Sequence, residues 1–233
     1  IGPFTAISGD VEIGDGTTVM ANATILDGAR IGKNCQIFPG AVISAIPQDL
    51  KFAGEVTTAE IGDNTTIREF VTVNRGTVDR NKTTVGNNCL LMAYVHIAHD
   101  AVVGNGCILA NAATVAGHVI IEDHVVIEGV VAIQQFIRIG KYAFIAGGSL
   151  VRKNVPPFIK AAREPLSYAG VNSIGLRRRG IEDSAVAAIE DVYRLLYVKN
   201  VNISNALKLA ETDLPNSPEK KYILEFIGTS EKG

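Results

Sequence analysis

Aliphatic residues recur at every sixth position along most of this chain. The series runs Ile1, Ile7, Ile13, Val19, Ile25, Ile31, Ile37 and Ile43, and resumes at Ile61, Ile67 and Val73. From Val85 it continues unbroken through Leu91, Ile97, Val103, Leu109, Val115, Ile121, Ile127, Ile133, Ile139 and Ile145 to Val151. A small or aliphatic residue usually stands four places after each anchor, as at Thr17, Ala23, Ala41, Ala101 and Val125. Two inward positions in six fit neither the 3.6 period of a helix nor the alternation of a simple strand. They fit the hexapeptide repeat of a parallel β-helix, in which each hexad supplies a short strand and a corner. Gly, Asn and Asp fill the corners, as in Ile13-Gly14-Asp15-Gly16 and Ile61-Gly62-Asp63-Asn64. Three hexads close a triangular coil of eighteen residues, and coils stack at strand spacing, roughly 4.8 Å. The 23 anchors predict nearly eight coils, a prism with an aliphatic interior held by contacts between neighbouring coils.

Residues 44–60 and 74–84 interrupt the series, and Pro47, Gly54 and Gly76 mark them as loop excursions. Counting hexads through the gaps places Ile43, Val73, Ile97, Val115 and Ile133 on one edge of the prism. Both loops therefore leave from the edge that carries His99-Asp100, Gly117-His118 and Gln135-Phe136 on successive coils. Residues eighteen apart form two vertical columns there: 99, 117, 135 and 100, 118, 136. His124 follows a different anchor and is expected on another edge, at the surface.

The hexapeptide series ends at Val155-Pro156-Pro157, because proline cannot donate to a strand ladder. The prism is accordingly expected over 1–155, a connector over 156–180 and a helical domain over 181–233. Ala185, Ala188, Ile189, Val192, Leu195 and Leu196 mark one amphipathic helix, and Asn202 to Asp213 a second. A third opens at Ser217-Pro218, with serine as N-cap and proline in the first turn.

Charge changes the picture only in its distribution. The net −2 implies no nucleic-acid partner, but residues 1–151 carry nine Lys/Arg against fourteen Asp/Glu and residues 152–233 thirteen against ten. Residues 152–179 alone hold seven basic side chains against Glu164, which favours an anionic partner over a merely solvated face. No apolar run approaches the roughly 18 residues of a membrane helix. Cys35, Cys89 and Cys107 all fall in the inward small-residue slot and read as core thiols suited to a reducing cytoplasm. The start at Ile1, in mid-repeat and without a basic leader, suggests missing upstream residues and no signal peptide.

An isolated corner histidine is usually solvated. His99 has an adjoining carboxylate, His118 within one coil and two loops converging on it, which together indicate a site. A neutral imidazole held by a carboxylate is suited to removing a proton near neutral pH. For His96, which precedes an anchor, a structural hydrogen bond and a ligand contact explain its place equally well.

The segments Gln48-Asp49-Leu50-Lys51-Phe52-Ala53-Gly54-Glu55, Asn74-Arg75-Gly76-Thr77, His96-Ile97-Ala98-His99-Asp100, Ala116-Gly117-His118, Gln135-Phe136 and Gly175-Leu176-Arg177-Arg178-Arg179-Gly180 span the chain. Together they resemble the acyl-ACP:UDP-N-acetylglucosamine O-acyltransferases that begin lipid A synthesis in Gram-negative bacteria. The resemblance implies a left-handed β-helix followed by helices, a cytoplasmic homotrimer with its sites between neighbouring prisms, and no cofactor or metal. It implies transfer of a 3-hydroxyacyl group from acyl carrier protein to the 3-hydroxyl of UDP-N-acetylglucosamine. By family role His99 is the general base, Asp100 its orienting partner and the Gly117 N–H the oxyanion donor. Gln48 and Lys51 lie near the nucleotide-sugar, His96, His118 and Gln135 touch sugar or acyl chain, and Asn172, Arg178 and Arg179 hold the nucleotide. Gly147 matches a position that limits acyl length, and the other basic residues receive the acidic carrier protein. Gln134 and Asn74 depart from the family in standing where histidines occur, and Pro165 and Ile174 in replacing polar residues.

Three other readings compete. A zinc hydratase of the gamma carbonic anhydrase type shares the fold, but needs two histidines about five apart and a third one or two coils earlier; the spacing 96, 99, 118, 124 departs from this. An N-acyltransferase acting on an amino sugar would use the same fold and a histidine base. A purely structural repeat leaves the His-Asp edge unexplained.

Overall fold

In the computed structural model, which describes residues 1–198 and 202–230, strands of two to five residues alternate with corners and wind round a triangular prism. Three sheets of eight, seven and nine strands form its faces, and successive strands pass from the first face to the second and third. Stacking sets the register: Val73 lies over Ile97, Ile97 over Val115 and Val115 over Ile133 on the first face. Every anchor from Val19 to Val151 is 4% exposed or less, whereas Ile1 and Ile7 in the end coil are open. Burying each aliphatic anchor contributes about 1.5–3 kcal/mol, which holds the register against a slip of one residue.

Corners add polar stacking. Along the edge between the second and third faces, the Lys33, Asp63, Asn87 and Asn105 amides donate to Asp63, Asn87, Asn105 and Asp123 side-chain oxygens at 2.7, 2.7, 2.9 and 2.6 Å. One side chain per coil thus ties each coil to the next. The three cysteines are free and buried, and their thiols donate to the carbonyls of Gly62, Gly104 and Glu122, each at 3.1 Å.

The two excursions, residues 46–57 and 75–81, both connect a first-face strand to a second-face strand. They leave the prism from one edge, as the hexad count requires. The end of the repeat differs from the expectation. Val155 bridges to Ile139, and Ile159–Ala162 pairs in parallel with Phe144–Ile145, so the ladder continues past the prolines. Pro156 and Pro157 occupy a corner, where no ladder donor is needed. Lys160 lies opposite Phe144, sixteen residues away instead of eighteen, which is why the anchor period misses this coil.

The basic connector is also ordered. Ser167–Val171 turns back antiparallel to Ile159–Ala162, and a short helix α1 (Ser173–Arg178) follows. Helices α2 (Asp183–Tyr197), α3 (Ile203–Asp213) and α4 (Pro218–Gly228) match the three expected; Asn202 and Ser217 cap α3 and α4. Residues 199–201 and 231–233 of the expected helical segment lie outside the described residues. Tyr193 donates to the Pro157 carbonyl at 2.6 Å, and Tyr222 to Glu122, which also pairs with Arg138; these contacts seat the helices on the prism. No described helix is long and apolar enough to cross a membrane.

If the corner ladder stabilises stacking, Asn87→Ala, which removes one rung, should cost about 1 kcal/mol and lower Tm in a thermal melt. An unchanged Tm would show that anchor burial alone fixes the coils.

Candidate active site

Asp100, His118 and Phe136 succeed one another on the edge between the first and second faces, each with φ near +60°. Asp and His tolerate this left-handed conformation better than most side chains. The His118 N–H donates to the His99 carbonyl at 3.1 Å, which fixes the vertical spacing of the column. The His118 ring stacks on Phe136 at 4.6 Å and meets His99 edge-on at 5.1 Å. The His99 imidazole lies directly over Gly117. A Cβ at 117 would sit 2.7 Å from its Cε1 and 2.8 Å from its Nε2, so a side chain there would displace the ring.

Asp100 is fully enclosed, and its carboxylate is met on all sides. Oδ2 accepts from His99 Nδ1 at 2.8 Å and from the Thr77 hydroxyl at 2.6 Å. Oδ1 accepts from the amides of Thr77 at 3.0 Å and Arg80 at 3.2 Å, and the Asp100 N–H donates to the Thr83 hydroxyl at 2.8 Å. Burial alone would raise the carboxyl pKa, but the bonds from Thr77, His99 and Arg80 outweigh it and hold the pKa below the usual range. Asp100 is therefore ionised, and the imidazole nitrogen facing it carries the proton. In the neutral imidazole this leaves the lone pair on Nε2, the form a general base needs.

His118 Nε2 stands 3.9 Å from Asp100 Oδ2. The Asp79 carboxylate approaches His118 Nδ1 to 3.1 Å without the alignment of a hydrogen bond, so this buried nitrogen has no hydrogen-bond partner among the described residues. His99, Asp100 and His118 offer three donor atoms within 4.8 Å, a spacing a metal ion could use. Asp100 Oδ2, however, already accepts two short hydrogen bonds, and His99 Nδ1 would have to give up its proton. The donor set matches a hydrogen-bonded dyad better than a metal site.

His96 is held through Nδ1 by the Thr72 hydroxyl at 2.7 Å. Burial and then the nearby His99 lower its pKa, keeping it neutral. Gln48 and Lys51 lie exposed on the 46–57 loop, and Arg75 on the other loop packs over Phe52 at 5.5 Å, joining the two. Gln135 is exposed one coil beyond Gly117.

Four expected site residues lie elsewhere on this chain. Asn172, Arg178 and Arg179 line a cleft on the third face, floored by Phe144 and flanked by Lys160. Gly147 stands on the edge between the third and first faces, its N–H donating to Glu128 at 2.8 Å. His124 does occupy another edge, but it is half-buried and not a plain surface residue: Nδ1 accepts from Arg179 at 2.9 Å and the ring stacks on Tyr142 at 4.9 Å. Sequence reasoning missed Thr77, Arg80 and Thr83, which hold Asp100. The available signal was that the loop bearing Thr77 and Arg80, and the strand with Thr83 that follows it, leave from the edge bearing Asp100.

Comparison with known proteins agrees with this arrangement. Residues 154–233 match a family profile described as UDP N-acetylglucosamine O-acyltransferase, domain 2, and residues 10–45 and 82–117 match bacterial transferase hexapeptide repeats. The acyl-[acyl-carrier-protein]–UDP-N-acetylglucosamine O-acyltransferase of Xylella fastidiosa is 42% identical over 82% of this chain and 74% of its own. The protein of the same name from Gloeothece citriformis is 37% identical over 96% and 74%. The crystal structure of LpxA, a UDP-N-acetylglucosamine acyltransferase from Bacteroides fragilis, superimposes with a TM-score of 0.95 at 48% identity, covering 100% of this chain and 98% of that one. The Francisella novicida UDP-N-acetylglucosamine acyltransferase gives 0.96 at 38% identity, over 100% and 86%. The prism is thus a left-handed parallel β-helix with a helical C-terminal domain, and the chain belongs to the acyl-ACP:UDP-N-acetylglucosamine O-acyltransferase family.

Proposed function

We propose that this protein transfers a 3-hydroxyacyl chain from the thioester of acyl carrier protein to the 3-hydroxyl of UDP-N-acetylglucosamine, in the cytoplasm of a Gram-negative bacterium, as the first step of lipid A biosynthesis. The enclosed Asp100 carboxylate, hydrogen-bonded to His99 Nδ1, carries this reading, because it leaves Nε2 as an acceptor at the site edge. A sugar hydroxyl is a poor nucleophile until a base takes its proton. His99 Nε2 takes that proton as the sugar oxygen bonds to the thioester carbon. Negative charge passes to the carbonyl oxygen, toward which the Gly117 N–H is directed in this reading. When the C–S bond breaks, the imidazolium returns its proton to the departing thiolate. Asp100 stabilises the transient imidazolium, and its hydrogen bonds keep the carboxylate from taking the proton itself.

His96, His118, Gln48, Lys51 and Gln135 surround this edge and would contact acceptor and acyl chain; His118 Nδ1, which makes no aligned hydrogen bond among the described residues, supports such a contact. Asn172, Arg178 and Arg179 would hold the nucleotide, and Gly147 would leave room for a long acyl chain. Their positions on other edges favour a homotrimer in which each site is completed by a neighbouring prism. The basic segment from Arg152 to Arg179 would receive the acidic carrier protein.

His99→Ala should lower kcat by about 10² to 10⁴ with little change in Tm, since Asp100 keeps its bonds from Thr77 and Arg80; normal turnover would remove the base assignment. Thr77→Val, which strips one hydrogen bond from Asp100, should lower kcat about tenfold at constant KM and add little in a His99→Ala background. A full additional loss in that background would place Thr77 outside the dyad's support. Mixed trimers refolded from His99→Ala and Arg178→Ala chains should regain activity, since some sites then combine intact residues from two chains. Their staying inactive would argue for a site built within one chain.

A further inference from the structure

Arg179, which the proposed function places on the nucleotide-sugar, does not extend freely from its helix. It caps the C-terminus of α1, and its guanidinium is held across the edge between the second and third faces. Nη1 donates to His124 Nδ1 at 2.9 Å and Nη2 to the Gly106 carbonyl at 3.2 Å. The fold makes room for this pair. Gly106 has a φ of +62°, and a Cβ there would lie 2.5 Å from His124 Nδ1 and 3.7 Å from Arg179 Nη1. One coil beyond, Tyr142 stacks on the His124 ring, and Phe158 continues the stack at 5.7 Å from Tyr142. The imidazole is therefore fixed in both height and tilt, with Nδ1 facing the guanidinium. Two bonds leave the remaining guanidinium donors for the cleft that Arg179 shares with Asn172, Lys160 and Arg178.

We infer that His124 is a positioning residue: its neutral ring aims Arg179 at the diphosphate of the nucleotide-sugar, and its protonation releases Arg179 and weakens nucleotide-sugar binding. An arginine cannot act as acceptor, so the bond exists only while Nδ1 keeps its lone pair. Once protonated, the imidazolium becomes a second cation beside the guanidinium. The charged and titratable groups around it are few. Asp123 adjoins it on its own corner, Arg179 faces it from the end of α1, and Tyr142 covers it from the next coil; Lys141 beside Tyr142 packs instead over Phe158 and Tyr222. Burial and then Arg179 lower the His124 pKa from its ordinary value, and Asp123 opposes them only in part. The sign follows: the Arg179 contact is complete at neutral pH and is lost as pH falls through this lowered value.

The inference rests on Arg179 serving the nucleotide-sugar, and binding measured without chemistry tests both. The dissociation constant of UDP-N-acetylglucosamine would be determined by calorimetry between about pH 7.5 and pH 5 on the intact protein and on His124→Phe, His124→Asn and Arg179→Ala. His124→Phe keeps the ring stack and loses the acceptor, so Kd should rise about tenfold at pH 7.5 with little further change on acidification. His124→Asn places an oxygen near the position of Nδ1 and suits a left-handed corner, so it should bind normally at pH 7.5. In that variant Kd should not show the extra rise, of about threefold or more, that the natural protein shows toward pH 5. Any pH dependence common to all of these forms cancels in the comparison. Weaker binding in Arg179→Ala with normal binding in His124→Phe would overturn the inference alone. Normal binding in Arg179→Ala would overturn the assignment of Arg179 to the nucleotide, and the inference with it. A thermal melt of each variant separates these outcomes from loss of fold.

Discussion

Stacking in register is the constraint on which the rest of this molecule depends. Once an aliphatic side chain fills the interior at every sixth position, residues eighteen apart in sequence are held one strand spacing apart along the prism. Ile97, Val115 and Ile133 are buried in this way, and the corners that follow them must fall in line. Asp100, His118 and Phe136 owe their place one above another to that repeat, and the stacking of His118 on Phe136 adds to it. The glycine at 117 follows from the same geometry, since the side chain of one coil rests on the backbone of the next.

Placing a carboxylate in a fully enclosed position is costly unless its lone pairs are met. The prism supplies only part of what the Asp100 carboxylate requires, through His99, while Thr83 accepts from the Asp100 backbone N–H. The remainder comes from the 75–81 loop, whose Thr77 and Arg80 close over the acid. The loop is therefore part of the machinery that keeps Asp100 ionised and His99 in one tautomer. A rigid prism holds the His99 imidazole, and an excursion from its edge fixes the carboxylate beside it. The same division recurs at Arg179, where the prism contributes His124 and Gly106 and the segment beyond it contributes the cation.

The prism, its inward cysteines, the shared edge of both loops and three of the four helices among the described residues were legible in the sequence, because each rests on a local period or cap. The legible part of the site was the part that repeats: His99 and Asp100 are neighbours, and Gly117 and His118 follow at the coil period. What escaped depends on contacts without a period. The last coil shortens its step to sixteen residues between Phe144 and Lys160, so the anchor series no longer tracks it. The antiparallel turn at Ser167–Val171 and the short helix α1 carry too few residues to show a pattern. Thr77 reaches Asp100 across 23 residues and Arg179 reaches His124 across 55, distances over which only the folded chain decides who meets whom.

The chemistry proposed for the His99-Asp100 edge is ester formation on a nucleotide-sugar. Mass spectrometry of the product formed from UDP-N-acetylglucosamine and a series of 3-hydroxyacyl carrier proteins tests that claim most directly. The expected product is one ester-linked 3-hydroxyacyl-UDP-N-acetylglucosamine, cleaved by mild base and absent when His99 is replaced. No product from any donor, or a base-stable amide formed only with an amino-sugar acceptor, would contradict it.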